Sequence, residues 1–208
     1  AIMNQNQLSI KVLRATLYHS NGKYTKPKHW NTSISGEMDF SQFFNPKYDL
    51  QIKGDETSFK TLYLDIVGQS NLDLTIVGKD TITVAGIIEA LDANIFYEFT
   101  TEEMGTSLPK EQGTVMSYQL TIPIRESVLF QNSQIDAKVI GELSLSQIGH
   151  NEIDFGGELF VEDGNVFSYK DNFNELQGYV SFDNKGFNPF IDVNAFTMID
   201  DENINLRI

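Results

Sequence analysis

Apolar residues recur at every second position along almost the whole chain, and few folds tolerate that pattern. Leu8, Ile10 and Val12 open the series, then Leu62, Leu64 and Ile66, then Leu72, Leu74 and Ile76, and Ile82 with Val84. It resumes with Leu120, Ile122 and Ile124; Ile135, Ala137 and Val139; Leu143 and Leu145; Ile153 and Phe155; Leu159 and Val161; Val180 and Phe182; Ile191, Val193 and Ala195; and Ile204 with Leu206. The residues between them are mostly Ser, Thr, Lys, Asp, Glu, Gln and Asn. Successive side chains of a strand point to opposite faces, so the pattern describes strands with one apolar and one wet face. The expected fold is all-β.

Short links of turn formers, "GQSN" (68–71), "GKD" (78–80), "EDGN" (162–165) and "DDEN" (200–203), predict hairpins and hence a long antiparallel meander. Only "AGIIEALD" (85–92) has a spacing that two turns of helix would also satisfy. "TEEMGTSLPKEQG" (101–113) has neither period, and residues 101–117 are expected to form a mobile loop. That loop would separate two β units, 1–100 and 118–208, of one continuous β domain. Roughly 15 short segments are too many for a flat sheet, because beyond about 10 twisted strands a sheet must curl, split or close. A filled sandwich or barrel and a folded-over open sheet would put the same residues inside.

The two halves share a phrase. "FNPKYDLQI" (44–52) and "FNPFIDVNA" (187–195) each place Phe-Asn-Pro before a strand and an Asp three residues after the proline. Proline lacks the N–H that a ladder needs, so it belongs at a strand's first residue, an edge or a bulge. Asn45 and Asn188 are expected to cap the strand starts through hydrogen bonds to backbone. Gly22 and Gly36 are 14 apart, as are Gly164 and Gly178. A shift of 142 also superposes Leu17 on Leu159, Ile34 on Leu176 and Phe40 on Phe182. Such internal duplication is how extended, stacked architectures are built.

Searching for reaction chemistry leaves little. A formal charge of -14 over 208 residues argues against a nucleic-acid partner and against anionic lipid headgroups. There is no cysteine, and no apolar run long enough for a membrane-spanning helix. The N-terminus lacks the basic and apolar regions of a signal peptide, and the chain stops within an alternating segment, so it reads as a piece of a longer protein. His19, His29 and His150 are scattered. No G-x-S-x-G or phosphate-binding loop occurs, and "GDE" (54–56), "EDGN" and "DDEN" lack calcium-loop spacing and read as turns. No catalytic residue, metal or cofactor is expected, and the chain is not expected to be an enzyme. Trp30 and the 15 phenylalanines could stack on sugar rings, but their places on the apolar face or beside turns favour core packing.

The last third of the chain carries a family pattern. It runs through a strand with Gly157, Leu159 and Val161, an acidic-Gly turn with Gly164 and Val166, then Leu176 and Gly178, Val180 and Phe182, and an Asn-Pro strand with Asn188, Pro189, Ile191, Val193 and Ala195. Upstream stand Ile135, Ala137, Val139, Gly141, Leu143 and Leu145. Over 118–208 this resembles the C-terminal region of TamB-type translocation and assembly module subunits, of the AsmA-like bridge lipid-transfer group. The resemblance implies a periplasmic, folded-over β-sheet, anchored to the inner membrane through a segment outside this sequence. Its apolar groove would carry phospholipid acyl chains between membranes, and an outer-membrane β-barrel partner would be engaged by parts outside this sequence. The residues expected to line the groove are Leu62, Leu64, Leu72, Leu74, Leu120, Ile122, Ala137, Val139, Leu143, Leu145, Leu159, Val161, Val180, Phe182, Ile191 and Val193. Two other readings compete: a scaffold that pairs sheet edges with client strands during outer-membrane or secreted protein assembly, and a filled-core adhesin or carbohydrate-binding β domain.

Overall fold

The structure, a computed structural model, describes residues 1–19, 23–60, 66–96, 115–168, 171–186, 189–199 and 202–207. Among them are twelve strands: β1 (Ile2–Asn4), β2 (Gln7–Ala15), β3 (Thr32–Asp39), β4 (Lys47–Lys60), β5 (Ile66–Gly78), β6 (Thr81–Phe96), β7 (Val115–Gln131), β8 (Ile135–Gln147), β9 (Asp154–Ser168), β10 (Asp171–Asp183), β11 (Pro189–Ile199) and β12 (Glu202–Arg207). They form one sheet in chain order, β1 to β12, so the all-β expectation holds.

Several expectations need correction. The meander is antiparallel throughout except at its centre, where β6 and β7 run parallel, Thr81 beside Val115 and Phe96 beside Gln131. Residues 85–92 are strand, not helix, because Ile88 pairs with Leu72 and Gly86 with Leu74 in the ladder to β5. Of the expected loop 101–117, Val115 to Ser117 already belong to β7, and 101–114 lie outside the described residues. "GQSN" and "EDGN" are not turns but lie within β5 and β9. Ser70 turns inward against Thr57, whose hydroxyl donates to the Ser70 carbonyl at 2.9 Å, which lets polar residues continue the strand. Fewer, longer strands result. The Asn45 side chain does not cap backbone; its amide donates to the Asp80 carboxylate in the next turn at 2.6 Å. Asn188 lies outside the described residues, but Pro189 does begin β11.

The repeated phrase has a geometric meaning. Gly36 on β3 pairs with Leu50, four residues after Pro46, and Gly178 on β10 pairs with Val193, four residues after Pro189. Both glycines have positive φ, 126° and 149°, and a Cβ on either would overlap the carbonyl oxygen of the repeated Asp, Asp49 or Asp192. The same arrangement recurs four times more, first with Gly78 against Thr81-Ile82. Gly86 sits against Asp73-Leu74, while Gly141 and Gly157 sit reciprocally against Glu158-Leu159 and Glu142-Leu143. Glycine at these points lets the sheet bend where a side chain would hold the strands apart.

Bulges supply the other bending points. Register shifts fall between Gly54 and Thr57 in β4, Ala90 and Asp92 in β6, Ile124 and Val128 in β7, and Asn174 and Gln177 in β10. A bulge bends its strand and increases its twist. The result is visible where β9 and β11 come within 8 Å across the intervening β10, against about 9.6 Å for alternate strands of a flat sheet. The packed core gathers around these bulges: Ala93, Ile124, Val128, Ala137, Val139, Val161, Val166, Leu176, Val193 and Ala195. Val128 is 1% exposed and Ala195 0%. No described phenylalanine is fully buried, and Phe173 packs only against the edge of the cluster, so the reading of most phenylalanines as core is corrected; the buried positions are held by Val and Ala with Leu176 and Ile124.

On the wet face, the β2–β3 connection packs against β4 to β6. The His19 amide donates to Ser58 Oγ at 2.8 Å, and Lys23 Nζ pairs with Asp92 at 2.9 Å. Tyr24 is buried there, its hydroxyl within 3.4 Å of the Asp92 carbonyl. Burial, and then the nearby Asp92 charge, push its phenol up to about 12.

Two predictions follow from this bending and burial. Gly141→Ala should cost about 3 kcal/mol or more in urea unfolding, since both φ and the Glu158 carbonyl oppose a methyl. Gly186→Ala, at φ 66° with nothing within 4 Å, should cost only about 1 kcal/mol. For Tyr24, the unfolded phenol ionises near 10 while the folded one keeps its proton to about 12, so the fold binds the extra proton and its stability falls as pH rises through that window. Urea midpoints from about pH 9 to 12 should therefore fall less steeply in Tyr24→Phe than in the parent.

Candidate functional site

Cross-strand partners in a sheet share a face, so register decides which apolar side chains become neighbours. One ladder runs unbroken through seven strands: Ile34, Ile52, Leu74, Gly86, Leu120, Leu145 and Phe155. Beside it, Leu8, Met38, Tyr48, Gly78, Ile82 and Met116 continue from β2 to β7. A third joins Ala90, Ile124, Gly141, Leu159, Val180 and Ile191 from β6 to β11. The opposite face carries charge, with Lys53 beside Asp73, Glu89 beside Arg125, Lys138 beside Glu162 and Asp192 beside Arg207.

All the expected lining residues that are described share the apolar face, but the bulges divide them. Ala137, Val139, Val161 and Val193 lie in the packed cluster. Leu72, Leu74, Leu120, Leu145, Val180 and Phe182 are half-buried, Ile122, Leu143 and Leu159 are half-buried against the edge of that cluster, and Ile191 is 41% exposed. Leu62 and Leu64 lie outside the described residues. Leu50, Ile52, Ile76, Ile82, Val84, Ile88, Tyr118 and Phe155 join the half-buried set without having been expected there. Their alternation was legible, but their place beside Leu74 and Leu120 depends on register. Ile87 and Ile88 are adjacent and equally apolar; only pairing puts Ile88 on this face and leaves Ile87 49% exposed on the other.

The accessible surface of the chain is 14032 Å². A compact monomer of its 23.5 kDa mass would expose about 9,800 Å². An open single layer has no second sheet to cover its faces. A concavity of about 260 Å³ between the ends of β10 and β11, against Phe182, Asp183 and Pro189, is below the roughly 300–1,000 Å³ of a small-molecule pocket. Among the described residues, no three His, Asp or Glu side chains converge as a metal site.

Repeated glycine-creased hairpins, one continuous sheet and ladders of half-buried Leu, Ile and Val define an all-β protein with one extended apolar face. Residues 25–207 match the TamB C-terminal domain, and the chain belongs to that family. The match extends far upstream of 118–208, where the sequence resemblance is legible. Family membership makes it a protein of cell-envelope and outer-membrane assembly, located in the envelope. No curated protein matches it. Among the described residues, no helix is long and apolar enough to cross a membrane.

The division of the apolar face has a measurable consequence. Val139→Asp puts an unpaired charge in the cluster and should destabilise by more than about 4 kcal/mol. Leu74→Asp, where solvent still reaches the side chain, should cost about 1–2 kcal/mol in the same denaturant titration.

Proposed function

We propose that the half-buried ladders form an apolar groove that holds phospholipid acyl chains and passes them between the inner and outer membranes. The observation that carries this reading is the run of half-buried apolar residues across seven strands, from Ile34 through Gly86 to Phe155, with no polar residue interrupting it. Each acyl methylene moved from water to such a wall gains about 0.8 kcal/mol. Because neighbouring ladders offer similar contacts, a chain gains little by staying at one position and can slide. The work needs no catalytic residue and no cofactor. In this reading the segment lies in the periplasm, held to the inner membrane by a part of the protein outside this sequence. An outer-membrane β-barrel partner is engaged by parts of the protein outside this sequence.

Photo-crosslinking in cells tests the reading. A benzophenone side chain at Leu120 or Leu143 should capture phospholipid, one at the outward Glu142 should not, and one at the packed Val139 should capture little. Equal lipid capture from Leu143 and Glu142, or none from either, would count against a groove. Protein captured in place of lipid would favour the client-pairing scaffold.

A further inference from the structure

The turn between β3 and β4 displays two phenylalanines. Phe43 is 74% exposed and Phe44 96%, with their rings edge-on at 5.4 Å. This turn is held at several points. The Asn45 amide donates to Asp80 in the β5–β6 turn, its backbone N–H donates to the Gln42 carbonyl at 2.9 Å, and Pro46 fixes the exit. The Asp39 carboxylate accepts hydrogen bonds from the Ser41 hydroxyl and amide. Those bonds, and then the Lys79 and Lys47 charges, hold its carboxyl below the usual range. Two rings therefore stand in water on a restrained turn, with Lys47 and Lys79 near Asp39 at its base, a costly display for a turn that only reverses the chain.

We propose that Phe43 and Phe44 form a membrane-contact tip that enters the interfacial layer of a zwitterionic bilayer, with Lys47 and Lys79 near the phosphates. Aromatic rings favour that layer, and lysines behind them can reach phosphate oxygens. A bilayer deforms around a convex tip, and a second copy of the chain does not suit it. The two rings offer about 400 Å², whereas a stable interface buries about 800 Å² on each partner. The surrounding acids, Glu37 and Asp49 on the wet face, select zwitterionic over anionic headgroups. The tip also adjoins the apolar face. Met38 and Tyr48, the pair nearest the turn on that face, start the ladder toward Gly78 and Ile82. Resting on the groove reading, this gives an acyl chain a path from bilayer to groove along apolar side chains.

The test uses vesicles of equimolar phosphatidylcholine and phosphatidylethanolamine. A Phe44→Trp, Trp30→Phe chain should show blue-shifted fluorescence, quenched by lipids brominated near the headgroup. Phe43→Ser, Phe44→Ser should weaken vesicle binding by about tenfold or more, equivalent to about 1.4 kcal/mol, with an unchanged melting temperature. Undiminished binding by that double variant, absence of quenching, or self-association of the parent that the double variant abolishes would each overturn the proposal. Capture of a fluorescent fatty acid in vesicle-free solution separates the two ideas. If neither chain captures it while the parent alone still binds vesicles, the groove reading falls and the contact tip stands.

Discussion

A side chain in a strand can point only two ways, and the register between neighbouring strands decides whether all the apolar ones point the same way. Here the pairing keeps Leu8, Met38, Tyr48 and Ile82 on one side, and Leu74, Leu120 and Leu145 with them. A slip of one residue anywhere would move a whole strand's apolar set onto the charged face. Core, open ladders and charged surface all follow from that constraint.

Keeping one face apolar across twelve strands creates a second demand, because a flat apolar sheet would stack on others of its kind. Glycines and bulges answer it by bending the sheet along its own width. Gly141 and Gly157 let β8 and β9 approach each other's backbone, and the bulges near Ala90, Ile124 and Asn174 turn the strand ends inward. Around the bulges the face packs against itself through small residues, and farther from them it is only half-buried. Stability and the proposed cargo surface thus occupy different lengths of the same strands.

This division suits the proposed handling of long apolar chains by a protein of envelope assembly. A pocket would bind one ligand in one place, whereas ladders spanning seven strands offer the same surface many times over. The phenylalanines fit the same logic. Among the described residues no phenylalanine ring is fully buried: Phe173 packs against the cluster, Phe155 and Phe182 are half-buried on the apolar face, and Phe43, Phe44, Phe160 and Phe190 are exposed.

Strand content, the apolar face and the duplicated hairpin were all legible from the sequence, because period-two alternation and the Phe-Asn-Pro phrase are local signals. The family was legible over 118–208 for the same reason. Strand number was overcounted because Gly68 to Asn71 and Glu162 to Asn165 look like turns, and only pairing with Thr57 and with Ala137 shows that they continue as strand. Parallel pairing of β6 with β7 was invisible, since the two strands have the same composition whichever way they run. By itself the sequence determined which residues are apolar and how often they recur. The tertiary structure decided which of them touch one another and which remain open, because bulges and glycine creases act through partners far away along the chain.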